Sequence, residues 1–121
     1  MKITKIEWLS GEILEAEVEV TDGEHFVKCF AHPLQKDEGS ELKDPIYCYD
    51  VTQIIKAEEN KYEVVKLGNN FNYLLTGQLI DKNNEIVKLG EFLFELDSSL
   101  IPGDINEGDY ISFNCERLDI I

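Results

Sequence analysis

The amino-acid sequence predicts an all-β protein, a small antiparallel barrel or sandwich of about seven or eight strands with at most one short helix. Three observations carry that prediction. Apolar and polar residues alternate with a period of two, most clearly over residues 13–20. Turn-forming residues punctuate the chain at short, regular intervals. A hydrophobic fraction of 43% over 121 residues supports one folded core, and the chain reads as a single domain over residues 1–121.

Residues 2–9 form the first strand candidate, and Ser10-Gly11-Glu12 breaks it. In residues 13–20, Leu14, Ala16, Val18 and Val20 alternate with Glu15, Glu17 and Glu19, which places the carboxylates on one sheet face. Asp22-Gly23 has the form of a two-residue hairpin, with residues 24–31 returning as its partner. Residues 33–45 hold two prolines, Gly39 and mixed charge, the composition of a long loop.

Residues 46–56 favour a strand through Tyr47, Tyr49, Val51, Ile54 and Ile55, although Asp50 followed by Gln53 also has the form of a helix capping box. Strand candidates follow at 61–67 and 71–80, separated by Gly68-Asn69-Asn70, and Asp81-Lys82-Asn83-Asn84 reads as a hairpin loop. Residues 85–89 and 91–96 read as strands interrupted at Gly90 by a bulge or bend. The last strand, 109–118, puts Ile111, Phe113 and Cys115 on one side. The order of these elements is compatible with an OB-like barrel, an analogy of fold that carries no function with it.

Charge is the strongest functional constraint. Twenty-five acids oppose eleven bases for a net charge of -14. Residues 1–40 hold nine acids and four bases, 41–80 six and four, and 81–121 ten and three, so the excess lies toward the two ends. Binding a nucleic-acid backbone relies on Lys and Arg that displace counterions, so this balance makes nucleic acid an unfavourable partner despite strand aromatics that resemble a stacking platform. It disfavours anionic membrane surfaces for the same reason. No secretion signal or apolar span long enough for a bilayer is readable, and three cysteines, an odd number, fit reduced thiols, so a soluble cytosolic protein is expected.

The candidate chemistry is sparse. Cys29 and His32 have the spacing of half a zinc site, yet on a strand they point to opposite faces and no C-x-x-C pair accompanies them. Asp104-Ile105-Asn106-Glu107-Gly108-Asp109 and Asp81-Lys82-Asn83-Asn84-Glu85 each resemble the start of a calcium loop, but glycine and glutamate are missing at its sixth and twelfth positions. Neither His25 nor His32 sits in a nucleophile signature, and the Ser98-Ser99 pair lies in a loop. No metal, no cofactor and no catalysis are the expectations.

The feature that remains is the acidic face. Glu15, Glu17 and Glu19 in a row, flanked by Glu12 and Glu24, would join the acidic C-terminal segment 97–119, with Asp104, Glu107 and Asp109, in one negative surface if the terminal strands pair. Solvation alone accounts for such a face, but aligned like charges also suit a basic partner. The leading expectation is a non-catalytic interaction protein that binds a basic protein, for instance an immunity protein or inhibitor masking a nuclease-type toxin. The alternatives are an OB-like nucleic-acid-binding module, or a small-ligand-binding or enzymatic β-barrel with residues 33–45 as its lid.

Overall fold

The computed structural model describes residues 1–68, 71–97 and 101–120. Asn69 and Asn70 of the expected break, and the Ser98-Ser99 pair, lie outside the described residues. The chain forms β1 (Lys2–Ser10), β2 (Glu15–Thr21), β3 (Phe26–Ala31), β4 (Ile46–Lys56), β5 (Glu63–Lys66), β6 (Tyr73–Asp81), β7 (Ile86–Leu89), β8 (Phe92–Leu96) and β9 (Tyr110–Ile120). It is all-β, as its alternation requires, and no described helix is long and apolar enough to cross a membrane.

Five strands close a barrel in the order β4-β8-β7-β6-β9, with β9 pairing both β6 and β4. The remaining strands extend it: β5 pairs β6, and the meander β1-β2-β3 joins β9 through β3. That last junction is short and parallel, Phe30 opposite Asp119 and Ala31 opposite Ile120. The terminal strands therefore do not pair with each other, and the condition for one continuous acidic surface is not met, because β3 takes the place beside β9 and leaves β1 at an edge.

One continuous core fills both parts. Phe92, Phe94 and Phe113 are the largest fully buried side chains, with Ile46, Leu75, Leu79, Val87, Leu89 and Ile111 from the other barrel strands around them. Ile3, Ala16, Val18, Val20, Val27 and Cys29 bring the inner face of the meander onto the same core. Burial in β2 alternates residue by residue, so the pattern visible in the sequence is the pattern of the sheet.

Local geometry departs from expectation at two turns, and the ambiguous segment at 46–56 takes the favoured strand form. The β2–β3 connection is four residues long, not two, because the Asp22 carboxylate accepts the amides of Glu24 (3.0 Å) and His25 (2.7 Å) and holds a wider loop. Gly90 is no bulge: Leu89 pairs with Phe92, making Gly90-Glu91 a two-residue hairpin, and Gly90 has φ 60°. Residues 46–56 are a strand, and the residues that imitate a capping box, Asp50 (φ 55°) and Gln53 (φ 56°), are instead left-handed residues in the long β4–β9 ladder, whose register shifts between Thr52 and Ile55. Breaks of this kind let a long antiparallel pair coil into a barrel.

The loop over residues 32–45 leaves β3 through a cis His32–Pro33 bond and packs against the meander. Leu34 and Leu42 are buried in the core, and backbone bonds from Ile3 to Ser40, Gly39 to Ile3 and Leu42 to Met1 seal the start of the β1 edge. Beside it lies a cleft of about 370 Å³ lined by Leu42, Lys43, Pro45, Ile46 and Ile120.

Candidate functional site: an acidic sheet face

The expected row of glutamates lies on β2, on the outer face of the meander, and its three members have different surroundings. Glu19 stands between Lys5 of β1 and Lys28 of β3 in register, and its carboxylate accepts the Thr4 hydroxyl at 3.0 Å. Glu15 faces the His32 ring at 4.0 Å. Only Glu17 has a like charge opposite it, Glu7 of β1, and an aromatic ring on its other side, Phe30 of β3. Cross-strand register, which the sequence does not display, decides which acid keeps its full field.

The same register extends sideways. One line of directly opposed residues runs Glu7, Glu17, Phe30, Asp119, Tyr47, Glu95 across β1, β2, β3, β9, β4 and β8. With neighbouring strands about 4.8 Å apart, five steps cover roughly 24 Å of surface. Asp119 answers Arg117 with two short bonds, 2.7 Å to Nε and 3.2 Å to Nη2. The Arg117 guanidinium lies between the rings of Phe30 (4.9 Å) and Tyr49 (5.1 Å), with Tyr49 itself 44% exposed. Arg117 is thus fixed on two sides by rings and at its head by a carboxylate, at little further entropic cost to a binding event.

Further along, the Tyr47 hydroxyl bonds to the Asp97 carboxylate, and that bond, with burial and the charges of Asp97, Glu95 and Asp119, pushes its pKa up to about 12. Glu85, at the turn into β7, is raised above the usual carboxylate range by burial and by Glu95 and Asp97, and its Oε2 is buried without a hydrogen-bond partner. The face therefore carries net negative charge from β1 to β8, with an aromatic and arginine cluster at its centre.

The other expected contacts lie elsewhere. Glu12 is exposed in the β1–β2 turn and Glu24 in the β2–β3 loop. Asp104, Glu107 and Asp109 precede β9, whose eleven residues place them about 30 Å along the strand from the Phe30–Asp119 junction. Two of the three serve the local fold: Glu107 accepts the Lys82 amide at 3.0 Å, and Asp109 accepts the Asn106 amide at 2.8 Å and faces Lys56 at 3.8 Å. Because β9 pairs β3, β4 and β6 rather than β1, the expected continuous acidic surface does not form. Glu7, Glu95 and Arg117 are members of the face that sequence reasoning missed, whereas Asp119 ends the acidic C-terminal segment 97–119 that it singled out. Alternation places each on an outer face, but only strand order brings them into line.

Cys29, Cys48 and Cys115 are free and buried, whereas His32 is exposed on the opposite side of β3, so the half zinc site is not assembled. Burial pushes the Cys29 and Cys48 thiols well above the usual range, and Cys48 is hydrogen-bonded to Cys115. Among the described residues no group of three or more His, Cys, Asp or Glu is placed to hold a metal ion. The turn that resembles a calcium loop at Asp81 is closed by its own bonds, Asn84 donating through its amide (3.0 Å) and side chain (2.8 Å). His25 lies 3.6 Å from Asp22, whose carboxylate is already engaged by backbone amides. No family model, curated protein or solved structure matches the chain.

Proposed function

We propose that this chain is a non-catalytic interaction protein that binds a basic protein partner through the outer sheet face centred on Glu17, Phe30, Arg117 and Tyr49. An inhibitor or immunity protein masking the cationic site of a nuclease-type toxin in the cytosol is the role that suits this chemistry. The observation that supports it is the line Glu7, Glu17, Phe30, Asp119, Tyr47, Glu95, because it brings four acids onto one surface with a preordered arginine and aromatic cluster. Tyr and Arg at the centre of a patch supply most of an interface's energy, while surrounding acids steer a cationic partner.

The test uses the basic protein that the chain retains in a pull-down, with kinetics followed by surface plasmon resonance. Glu7→Lys with Glu17→Lys should slow association by about tenfold or more at low salt and flatten its salt dependence. Tyr49→Ala should act on dissociation instead, at a cost of about 1–2 kcal/mol. Unchanged association and salt slope in the charge-reversed protein would remove this reading.

An OB-like nucleic-acid-binding role draws support from one observation, the outward aromatics Tyr47 and Tyr49 on a closed five-strand barrel with Phe30 of the adjoining meander beside them. The surrounding acids oppose a phosphate backbone. Retention of a single-stranded oligonucleotide at low salt would favour this role, and its loss in Tyr49→Ala would place the contact on this face.

A further inference from the structure

The open edge of the meander specifies how a partner would dock. Loop bonds seal β1 only from Met1 to Ile3. Beyond that, the Ile6 amide donates to the Glu38 carboxylate at 3.1 Å, so it faces away from β2, and the period of two turns the Trp8 amide the same way. Among the described residues, β1 pairs no strand but β2. A strand edge with free amides accepts an added strand, and a side-chain carboxylate over one amide is the usual device that discourages chance pairing.

The two faces flanking this edge differ in chemistry. On the core side are Ile6 and Trp8, opposite the buried Val18 and Ala16. At the hairpin end Trp8, Leu9 and Ile13 are each 49% exposed. On the outer side are Glu7 and Glu17, with Glu38 at the edge itself. A strand laid along β1 alternates its side chains between these two faces, so apolar residues would meet Trp8 and Ile6 while the residues between them meet carboxylates.

We infer that the β1 edge between Ile6 and Ser10 binds an extended segment of a basic protein in which apolar and cationic residues alternate, adding it as a further strand. The inference rests on the proposed basic partner and deepens it to a mode of recognition. Charge selects this occupant over a second copy of the chain, since two molecules of net charge -14 repel one another while a cationic strand neutralises Glu7, Glu17 and Glu38. Glu38 exchanges its bond to the Ile6 amide for a cationic side chain as the strand arrives.

Trp8 is the chain's single tryptophan, so its emission reports the edge directly. The probes are a short peptide in which lysine and valine alternate, and an isomer carrying the same lysines in one block. The alternating peptide should shift Trp8 emission to the blue, and the block isomer should bind roughly tenfold more weakly. Ile6→Pro removes the edge-facing donor and should reduce the preference for the alternating peptide. The peptide comparison on the unaltered protein stands even if that variant folds poorly.

Equal binding of both peptides, lost with Glu7→Lys and Glu17→Lys, would overturn strand addition and leave the acidic-face proposal intact. Binding of neither peptide, or binding that survives charge reversal, would overturn both. Concentration-dependent dimerisation in sedimentation, abolished by Ile6→Pro, would assign the edge to a second copy and overturn the inference.

Discussion

The closed barrel and the open meander share one core and solve the same problem in opposite ways. In the barrel every strand from β4 to β9 except β5 has neighbours on both sides, so few backbone groups are left for another chain. The meander hangs from β9 by two ladder residues, and β1 is sealed for only its first turn of pairing. Where β9 departs from β3, the next amide, that of Lys28, is satisfied by the Tyr73 hydroxyl at 2.8 Å. A second tie is Asp22, which accepts the Glu91 amide at 3.0 Å and so fastens the β2–β3 loop to the β7–β8 turn. The difference teaches that unpaired backbone groups lie where closure fails, and that, beyond the shared core, the meander is held to the barrel by a few identifiable contacts.

The largest expected effect tests whether the barrel dominates stability. Phe113→Ala empties the centre of β9 and should cost about 3–5 kcal/mol, read from urea unfolding. Val27→Ala in β3 should cost about 1–3 kcal/mol and should speed amide exchange in β1, β2 and β3 while leaving barrel amides protected. Equal acceleration in both regions would show a single cooperative unit and break the comparison.

A smaller effect comes from the tie at Asp22, whose side chain is only 3% exposed. Asp22→Ala leaves the amides of Glu24, His25 and Glu91 without their acceptor and should cost about 1–3 kcal/mol, again with exchange rising in the meander. The tie is pH-dependent. Burial alone would raise the Asp22 pKa, but the amides of His25, Glu91 and Glu24 outweigh it and hold the carboxyl below its ordinary 3.8. An acid with a depressed folded pKa contributes stability that is present above the unfolded value and lost as pH falls through the folded one. The meander should therefore loosen below about pH 4, and Asp22→Asn should flatten that response. Gly90 belongs to the same tie, since a Cβ there would collide with the Asp22 carboxylate.

Much of this fold is legible in the sequence because the barrel and the meander both write their burial as a period of two. The inward set Ile111, Phe113, Cys115 follows from that period, the strand at 46–56 from its aromatic and β-branched residues, and the hairpin loop at Asp81 from its turn-forming side chains. What is not legible depends on contacts distant along the chain. The width of the Asp22 loop reflects a carboxylate that also serves Glu91, 69 residues away. Alternation shows the Glu15, Glu17 and Glu19 row of β2 and the C-terminal acids separately, whereas the line of acids across β1 to β8 depends on a sheet's lateral register, which joins residues such as Glu17 and Asp119 that no local pattern connects.

The thiols give the finest resolution of the two regions, because one lies in the meander and two in the barrel and none has to be introduced by substitution. Cys29 lies on β3 of the meander, while Cys48 and Cys115 lie on the barrel strands β4 and β9. All three are buried, so reaction with a maleimide requires opening, and the raised thiol pKa of Cys29 and Cys48 slows any attack from the closed state. Exposing Cys29 needs the meander's inner face to part from the shared core, with the β3–β9 ladder, the Lys28–Tyr73 bond and the Asp22 tie giving way. Exposing Cys48 and Cys115 needs the barrel to part between β4 and β9, its longest ladder. Mass spectrometry of partly labelled protein should accordingly find Cys29 modified first, and Asp22→Ala should accelerate Cys29 alone. Equal rates at the three positions would mean that the meander opens only when the barrel does, and that its edge, however exposed, is as rigid as the closed wall behind it.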